Sequence, residues 1–385
     1  MANLIESIKQ FFSQKEPLPA GMYSYQTPPE SDEPYRLHLR IEADGSGLLV
    51  INASTVLHLN QTAVEYAYHI IKETPEEEII SEVARRYQVG VDQVKMDFEN
   101  FQNQIQTLIH TPDLDPVTYL NIERQEPYTA SLSAPYRMDC ALTYKVGEKS
   151  RPEDAPTDRV DRELTTEEWS AILHKAYKAG VPHILFTGGE PTLREDLPEL
   201  LQLTEDLGLV TGLLSDGLKC ADKTYLDRLL QSGLDHLMMV FDPDDERDWQ
   251  VLEAVLPEDL FTTVHLTLRD SEDLGPVIER LAEMDANALS LSAADPALAE
   301  ELQRLRDVAA TQQLELVWDM PVPYSGNNPV SLELENADEQ EAPKGAGKAW
   351  LYVEPDGDVL PAQGMYDQML GNLLRDDWEQ VWAAR

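Results

Sequence analysis

Short apolar runs at residues 36–42, 47–51 and 55–59 are separated by the turn-forming pairs Asp44-Gly45 and Asn52-Ala53, so they predict three strands of a small sheet. The period then changes. Residues 61–72, 75–87 and 91–109 carry apolar positions at helical spacing. Ile79, Val83 and Tyr87 share one face, as do Val94, Phe98, Phe101, Ile105 and Leu108, and these stripes are expected to cover the sheet. Asn60 is placed to cap the first helix, and Thr74 with Pro75 and Glu77 to open the second. Upstream, Leu4, Ile5, Ile8, Phe11 and Phe12 give residues 1–15 an amphipathic pattern, which predicts a docking helix rather than a signal peptide.

Further on, strand-like and helix-like segments alternate. Cys140 lies in the first predicted strand of this half as a small buried hydrophobe. A β-branched run at 181–187 follows, then an amphipathic segment at 197–207. Strand-like stretches at 210–214, 236–241, 263–268, 288–292 and 314–318 are interleaved with helical ones at 223–231, 247–256, 274–284 and 296–312. Repeated βα units imply a parallel sheet with helices packed outside it. Residues 113–133, with scattered prolines, and 326–348, acidic and then rich in Pro, Gly and Ala, read as connections.

The sharpest local signal is Phe186-Thr187-Gly188-Gly189-Glu190-Pro191, a strand running into a tight turn. Two successive glycines allow positive φ or a close backbone approach to a ligand. Pro191 fixes the exit, and Glu190 sets a carboxylate at the strand's C-terminal end.

Charge narrows the partners. With 30 Lys and Arg against 71 Asp and Glu, the formal net charge of −41 repels phosphate backbones and anionic membranes, so neither nucleic acid nor membrane is an expected partner. Arg85-Arg86 is a small local exception. Such acidity suits a basic peptide or a high-salt medium. Two cysteines in 385 residues form no disulfide framework, which predicts a reducing, cytoplasmic setting.

Residues 136–218, from Tyr136 through the GGEP turn to Ser215-Asp216-Gly217, resemble the first half of a radical S-adenosylmethionine (SAM) enzyme. The resemblance implies a partial (β/α)6 barrel at residues 134–325, with ligands at the strands' C-terminal ends. It also implies a four-iron four-sulfur cluster on a C-x3-C-x2-C loop, and a GGEP turn holding the methionine amino group of SAM. Candidate cofactor-binding residues are Gly188, Gly189, Glu190, Pro191, Ser215 and Asp216, with Tyr144, Thr187, Asp242, Arg269 and Asp319 also at predicted strand ends. Asp216 stands where the family usually has asparagine.

Residues 345–361 resemble the SPASM or twitch hairpin of peptide-modifying members, giving a small C-terminal extension at 349–385. Residues 21–112 resemble the winged-helix-like α+β PqqD-like domain, which binds the leader of a precursor peptide as an added strand. That resemblance makes Thr55, Val56, Leu57, His58 and Leu59 the candidate peptide edge.

The expected ligand positions carry other residues. The cluster positions read Val146, Ser150 and Glu153, and the auxiliary positions read Lys344 and Ala362. Thiolates hold such clusters, so the sequence leads to an expectation of no cofactor and no catalytic residue, with residual SAM binding left open. The acidic run Glu153, Asp154, Asp158 and Asp161 lacks regular metal-ligand spacing, and His174 and His183 read as structural. The leading expectation is a cluster-free binding protein for a precursor peptide. The alternatives are a peptide-maturation enzyme that still uses SAM or another small molecule at Glu190, and a structural pseudoenzyme that pairs with an active radical SAM homologue.

Overall fold

The computed structural model describes residues 18–28, 31, 35–52, 55–111, 114, 119–120, 132–149, 155–269, 273–317 and 345–385. The expected N-terminal helix, most of both connections, Ser150, Glu153, Asp154, Asp319 and Lys344 lie outside the described residues. The chain forms two compact units, residues 1–126 and 127–385.

The first unit holds an antiparallel sheet in the order β1-β2-β3-β4, with β1 Gly21–Gln26, β2 Arg36–Ile41, β3 Gly47–Ile51 and β4 Thr55–Leu59. Three helices follow, α1 Gln61–Ile71, α2 Glu76–Tyr87 and α3 Val91–His110. Leu37, Leu39, Leu49, Ile51 and Leu57 alternate onto one sheet face, where they pack with Val64, Ala67, Ile105 and Leu108 of α1 and α3. Tyr66, Ile79, Val83, Val94 and Phe98 knit the helices to one another, so the α2 stripe packs on α1 and α3 and not on the sheet as expected. Asn60 does cap α1, its side chain accepting from the Ala63 N–H at 3.0 Å. The start of α2 differs from expectation: Pro75 stands at the cap position without a side-chain hydrogen bond, while the Thr74 hydroxyl meets His69 Nδ1 at 3.2 Å. Strand β1 is an addition to the three strands read from the sequence.

The second unit is built on one sheet, ordered β11-β10-β9-β8-β7-β6-β5-β12-β13-β14. Its parallel part comprises β5 Arg137–Thr143, β6 His183–Gly188, β7 Val210–Ser215, β8 His236–Val240, β9 Phe261–Leu268, β10 Ala288–Ala293 and β11 Glu315–Leu316. The intervening helices are α4 Thr166–Ala179, α5 Leu197–Asp206, α6 Lys223–Gln231, α7 Glu246–Val255, α8 Gly275–Glu283 and α9 Ala299–Thr311. Every residue of β5, β7 and β10 is buried, as expected of parallel strands covered on both faces. One face sends Met138, Cys140, Leu142, Ile184, Phe186, Leu213 and Met239 into the main core with Trp169, Ile172, Leu200 and Leu229 of the helices. The opposite face mixes Leu185, Leu214 and Met238 with polar groups, including an Arg137–Asp139 pair at 2.6 Å.

The C-terminal hairpin is part of this sheet. Strand β12 Trp350–Val353 runs parallel to β5, pairing Trp350 with Arg137 and Val353 with Cys140, and then turns into β13 Asp358–Leu360. Gly357 takes φ 89° at the Pro-Asp-Gly turn, a conformation that favours glycine. Strand β14 Gly371–Asn372 and helix α10 Trp378–Ala383 complete the extension. No helix among the described residues is long and apolar enough to cross a membrane.

Candidate functional site

The turn after β6 is shaped by its own neighbours. Gly188 has φ 133°, and a Cβ there would lie 2.1 Å from the Thr143 carbonyl oxygen; a Cβ on Gly189 would lie 2.1 Å from that of Lys145. The glycine pair therefore admits the chain leaving β5, where the sequence suggested either a ligand or a positive φ. The Gly189 N–H donates to Thr143 O at 2.8 Å and the Glu190 N–H to Lys145 O at 2.7 Å.

Glu190 then turns inward. One of its carboxylate oxygens accepts from the Thr192 N–H and the Ser215 hydroxyl, each at 2.9 Å, and the other accepts from the Asp216 N–H at 2.9 Å. Ser215 Oγ in turn accepts from the Gly217 N–H at 3.0 Å, and Asp216 Oδ1 from the Leu218 N–H at 3.0 Å. Pro191 opens a 3-10 turn in which Pro191 and Thr192 are buried and Leu193 is exposed. The two carboxylates are almost fully buried, and among the described residues neither makes an ion pair. Burial, and then the charge of Asp216, push the Glu190 carboxyl up to about 7.

Charging both buried acids without a nearby cation is costly, and a bound cation would offset that cost. The α-ammonium of SAM is a group of that kind, so the side chains present fit it. The six residues picked from the sequence, Gly188, Gly189, Glu190, Pro191, Ser215 and Asp216, do come together here. Thr187 is buried beneath them, whereas Asp242 and Arg269 are exposed. Tyr144 is drawn toward the hairpin, its hydroxyl donating to Glu354 at 2.8 Å.

Sequence reasoning missed the charged groups that bind this region together. Arg159 Nη2 donates to buried Glu354 at 2.7 Å, with the guanidinium 4.2 Å from the centre of the Tyr366 ring. Arg194 Nη1 donates to the carbonyls of Leu142 at 3.2 Å and Leu164 at 2.9 Å. Lys149 pairs with Asp248, whose Oδ2 also accepts from the Asp242 N–H at 2.7 Å. These partners are far apart in sequence, and each alone reads as a solvated loop charge or a helix start.

In the first unit, β4 is the last strand of its sheet among the described residues. Thr55 and Leu57 point into the core, Val56 is 44% exposed, His58 is exposed and Leu59 is half-buried. The strand thus offers a backbone edge with an outward apolar side chain.

The chain has counterparts in sequence and in fold. Residues 140–264 match the Radical SAM superfamily. The chain is 36% identical over 88 residues to the PqqA peptide cyclase of Granulibacter bethesdensis, a stretch that spans 23% of this chain and 23% of that relative. In fold it is similar to Streptococcus suis SuiB bound to S-adenosylmethionine, with a TM-score of 0.58 and 17% identity over 91% of this chain and 87% of the other. SuiB bound to its precursor peptide SuiA gives a TM-score of 0.58 and 15% identity over 93% and 88%.

The superfamily match overturns the expectation of no cofactor: SAM is the group that this domain implies. The family's iron–sulfur cluster is a different case, because its fit depends on thiolates. Cys140 and Cys220 are the chain's two cysteines, and both are buried in the core around the sheet. Burial raises both thiols, that of Cys220 to about 12, away from the thiolate form that binds iron. Val146 is half-buried near the turn and offers no donor. The side chains in place do not fit a cluster, and a cluster here would need ligands other than these thiols. Among the described residues, no group of three or more His, Cys, Asp and Glu is placed to hold a metal ion.

Proposed function

We propose that this chain is a peptide-maturation protein of the radical SAM type, which holds SAM by its ammonium at Glu190 and Asp216 and takes a precursor peptide along β4. The observation that carries this reading is the buried acid pair, which makes no ion pair among the described residues and lies within the stretch that matches the Radical SAM superfamily. SAM, when bound, would supply the ammonium that Glu190 and Asp216 hold and an adenosyl group as the radical source. Glu190 does the binding work. Near pH 7 its carboxyl is divided between the protonated and charged forms, and the charged form is the one that would hold a cation. Ser215 and the Thr192 and Asp216 N–H groups fix the carboxylate's orientation, so the acid itself is already positioned.

The peptide half of the reading rests on the open side of β4. An extended peptide added there would gain main-chain hydrogen bonds, with Val56 and His58 available to side-chain recognition. The similarity to SuiB, whose structure with SuiA contains a bound precursor peptide, supports it. So does a net charge of −41, which favours a basic leader. The domain limits at residues 21–112, 134–325 and 349–385 belong to the same proposal.

A second reading is favoured by the burial of both thiols. In it, the chain presents the peptide while an active homologue performs the radical step.

Calorimetric titration of SAM into the full chain tests the first reading: binding is expected, and Glu190→Gln should weaken it at least about tenfold, as for loss of a charge-assisted contact. Absence of heat in both proteins would reject it. Release of 5′-deoxyadenosine by the chain on its own would reject the second reading.

A further inference from the structure

The segment leaving β5, residues 144–149, lies directly over the acid pair and is fastened along its length. At its start, Lys145 accepts the Glu190 N–H at 2.7 Å. In its middle, Gly147 is pressed against the site so closely that a Cβ would stand 2.6 Å from Asp216 Oδ2 and 3.3 Å from Glu190 Cγ. At its end, Lys149 reaches Asp248 on the first turn of α7; the Lys149 side chain is 11% exposed and that of Asp248 fully buried. The other Asp248 oxygen, Oδ1, is buried with no hydrogen-bond partner. Helix α7 also packs on the 3-10 turn Leu218–Ala221 that follows Asp216, so Asp248 belongs to the same end of the sheet.

We propose that residues 144–149 are a strap that the Lys149–Asp248 pair holds closed over Glu190 and Asp216, and that a cationic ligand enters only when this pair opens. The inference rests on the reading of the acid pair as the SAM site. In the resemblance noted above, this same loop carries the cluster cysteines; here it carries a lysine that ties it down. A tied loop of this kind lowers the apparent affinity of any ligand beneath it by the fraction of molecules that are open. Gly147 is part of the device, because any side chain there would collide with the acids that the strap covers.

Two measurements on the full-length protein test the strap and the ligand reading separately. Hydrogen exchange of the Glu190 amide, which donates to Lys145, reports the strap alone; the Asp216 amide, which donates to Glu190, is the control for the turn. Asp248→Asn removes the charge and keeps an acceptor for the Asp242 N–H, while Lys149→Gln serves as the second variant should the first fold poorly. Both are expected to speed exchange at Glu190 about tenfold while leaving Asp216 unchanged, and to tighten SAM binding by a similar factor. Unchanged exchange in both variants overturns the strap. Faster exchange with SAM affinity equal to wild type overturns its role in ligand entry. Faster exchange with no SAM binding by any of the three proteins supports the strap and rejects the SAM reading.

Discussion

The two candidate recognition regions are built on opposite principles. Among the described residues β4 is an edge strand of the first unit with Val56 exposed, and in the proposed reading it takes a complementary strand. The Glu190 turn in the second unit is closed: both acids are buried, Glu190's oxygens are already hydrogen-bonded, and the chain crosses over them. An open edge gives breadth of partner, since main-chain hydrogen bonds are common to all peptides. A buried acid pair gives selectivity, because only a cation compensates its desolvation.

The contrast can be broken most forcefully at Lys149. Replacing it with alanine leaves Asp248 buried without a counter-charge, and unfolding in urea should register a loss of about 3 to 5 kcal/mol. A loss under 1 kcal/mol would mean that the pair is not closed in solution. Next in size is Leu57→Ala, which empties a core position beneath β4 and should cost about 2 to 4 kcal/mol by the same measurement. The strand therefore cannot be probed for peptide contact at Leu57 without loosening the sheet that presents it.

A third effect appears in pH dependence. The unfolded Glu190 carboxyl ionises near 4.5 and the folded one at about 7, so its contribution to stability is present below 4.5 and is lost as pH rises through 7. Glu190→Gln should flatten that slope between pH 5 and 8, and SAM binding should strengthen across the same interval as the carboxylate form becomes available. Identical slopes in the two proteins would place the titration elsewhere. Smallest of all, Val56→Ala should change stability by no more than about 0.5 kcal/mol yet weaken a leader peptide in a fluorescence titration. If Leu57 and Val56 behaved alike, the inside and outside of β4 would have been misassigned.

Much of this frame was legible from local pattern, because strands and helices declare themselves through period. The faces of α2 and α3, the Asn60 cap, the GGEP turn and the βα alternation all depend on residues a few positions apart. Strand β1 escaped because Gly21–Gln26 holds polar and aromatic residues without an apolar run, and it becomes a strand by pairing with β2. The parity of β4 was likewise undecided until β3 and the helices fixed which side was covered. At the site, Glu190, Ser215 and Asp216 were read correctly as neighbours through strand-end geometry. Lys149–Asp248 and Arg159–Glu354 had no such rule to reveal them, since their partners meet only after the sheet has formed. The positive φ read for the glycine pair holds at Gly188, but what passes close by is the chain itself rather than a ligand. The expectation of no cofactor failed for a related reason. It was drawn from missing sulfur, while the match to the Radical SAM superfamily implies SAM itself.

The pairing of β12 with β5 has a consequence for biosynthesis. Trp350 lies beside Arg137 in the finished sheet, so the strand that begins the parallel sheet waits for its outer neighbour until the residues from 137 to 350 have left the ribosome. During that interval β5 keeps an unpaired border, a surface on which nascent chains can associate wrongly. Shortening the chain before residue 350 would make that exposure permanent.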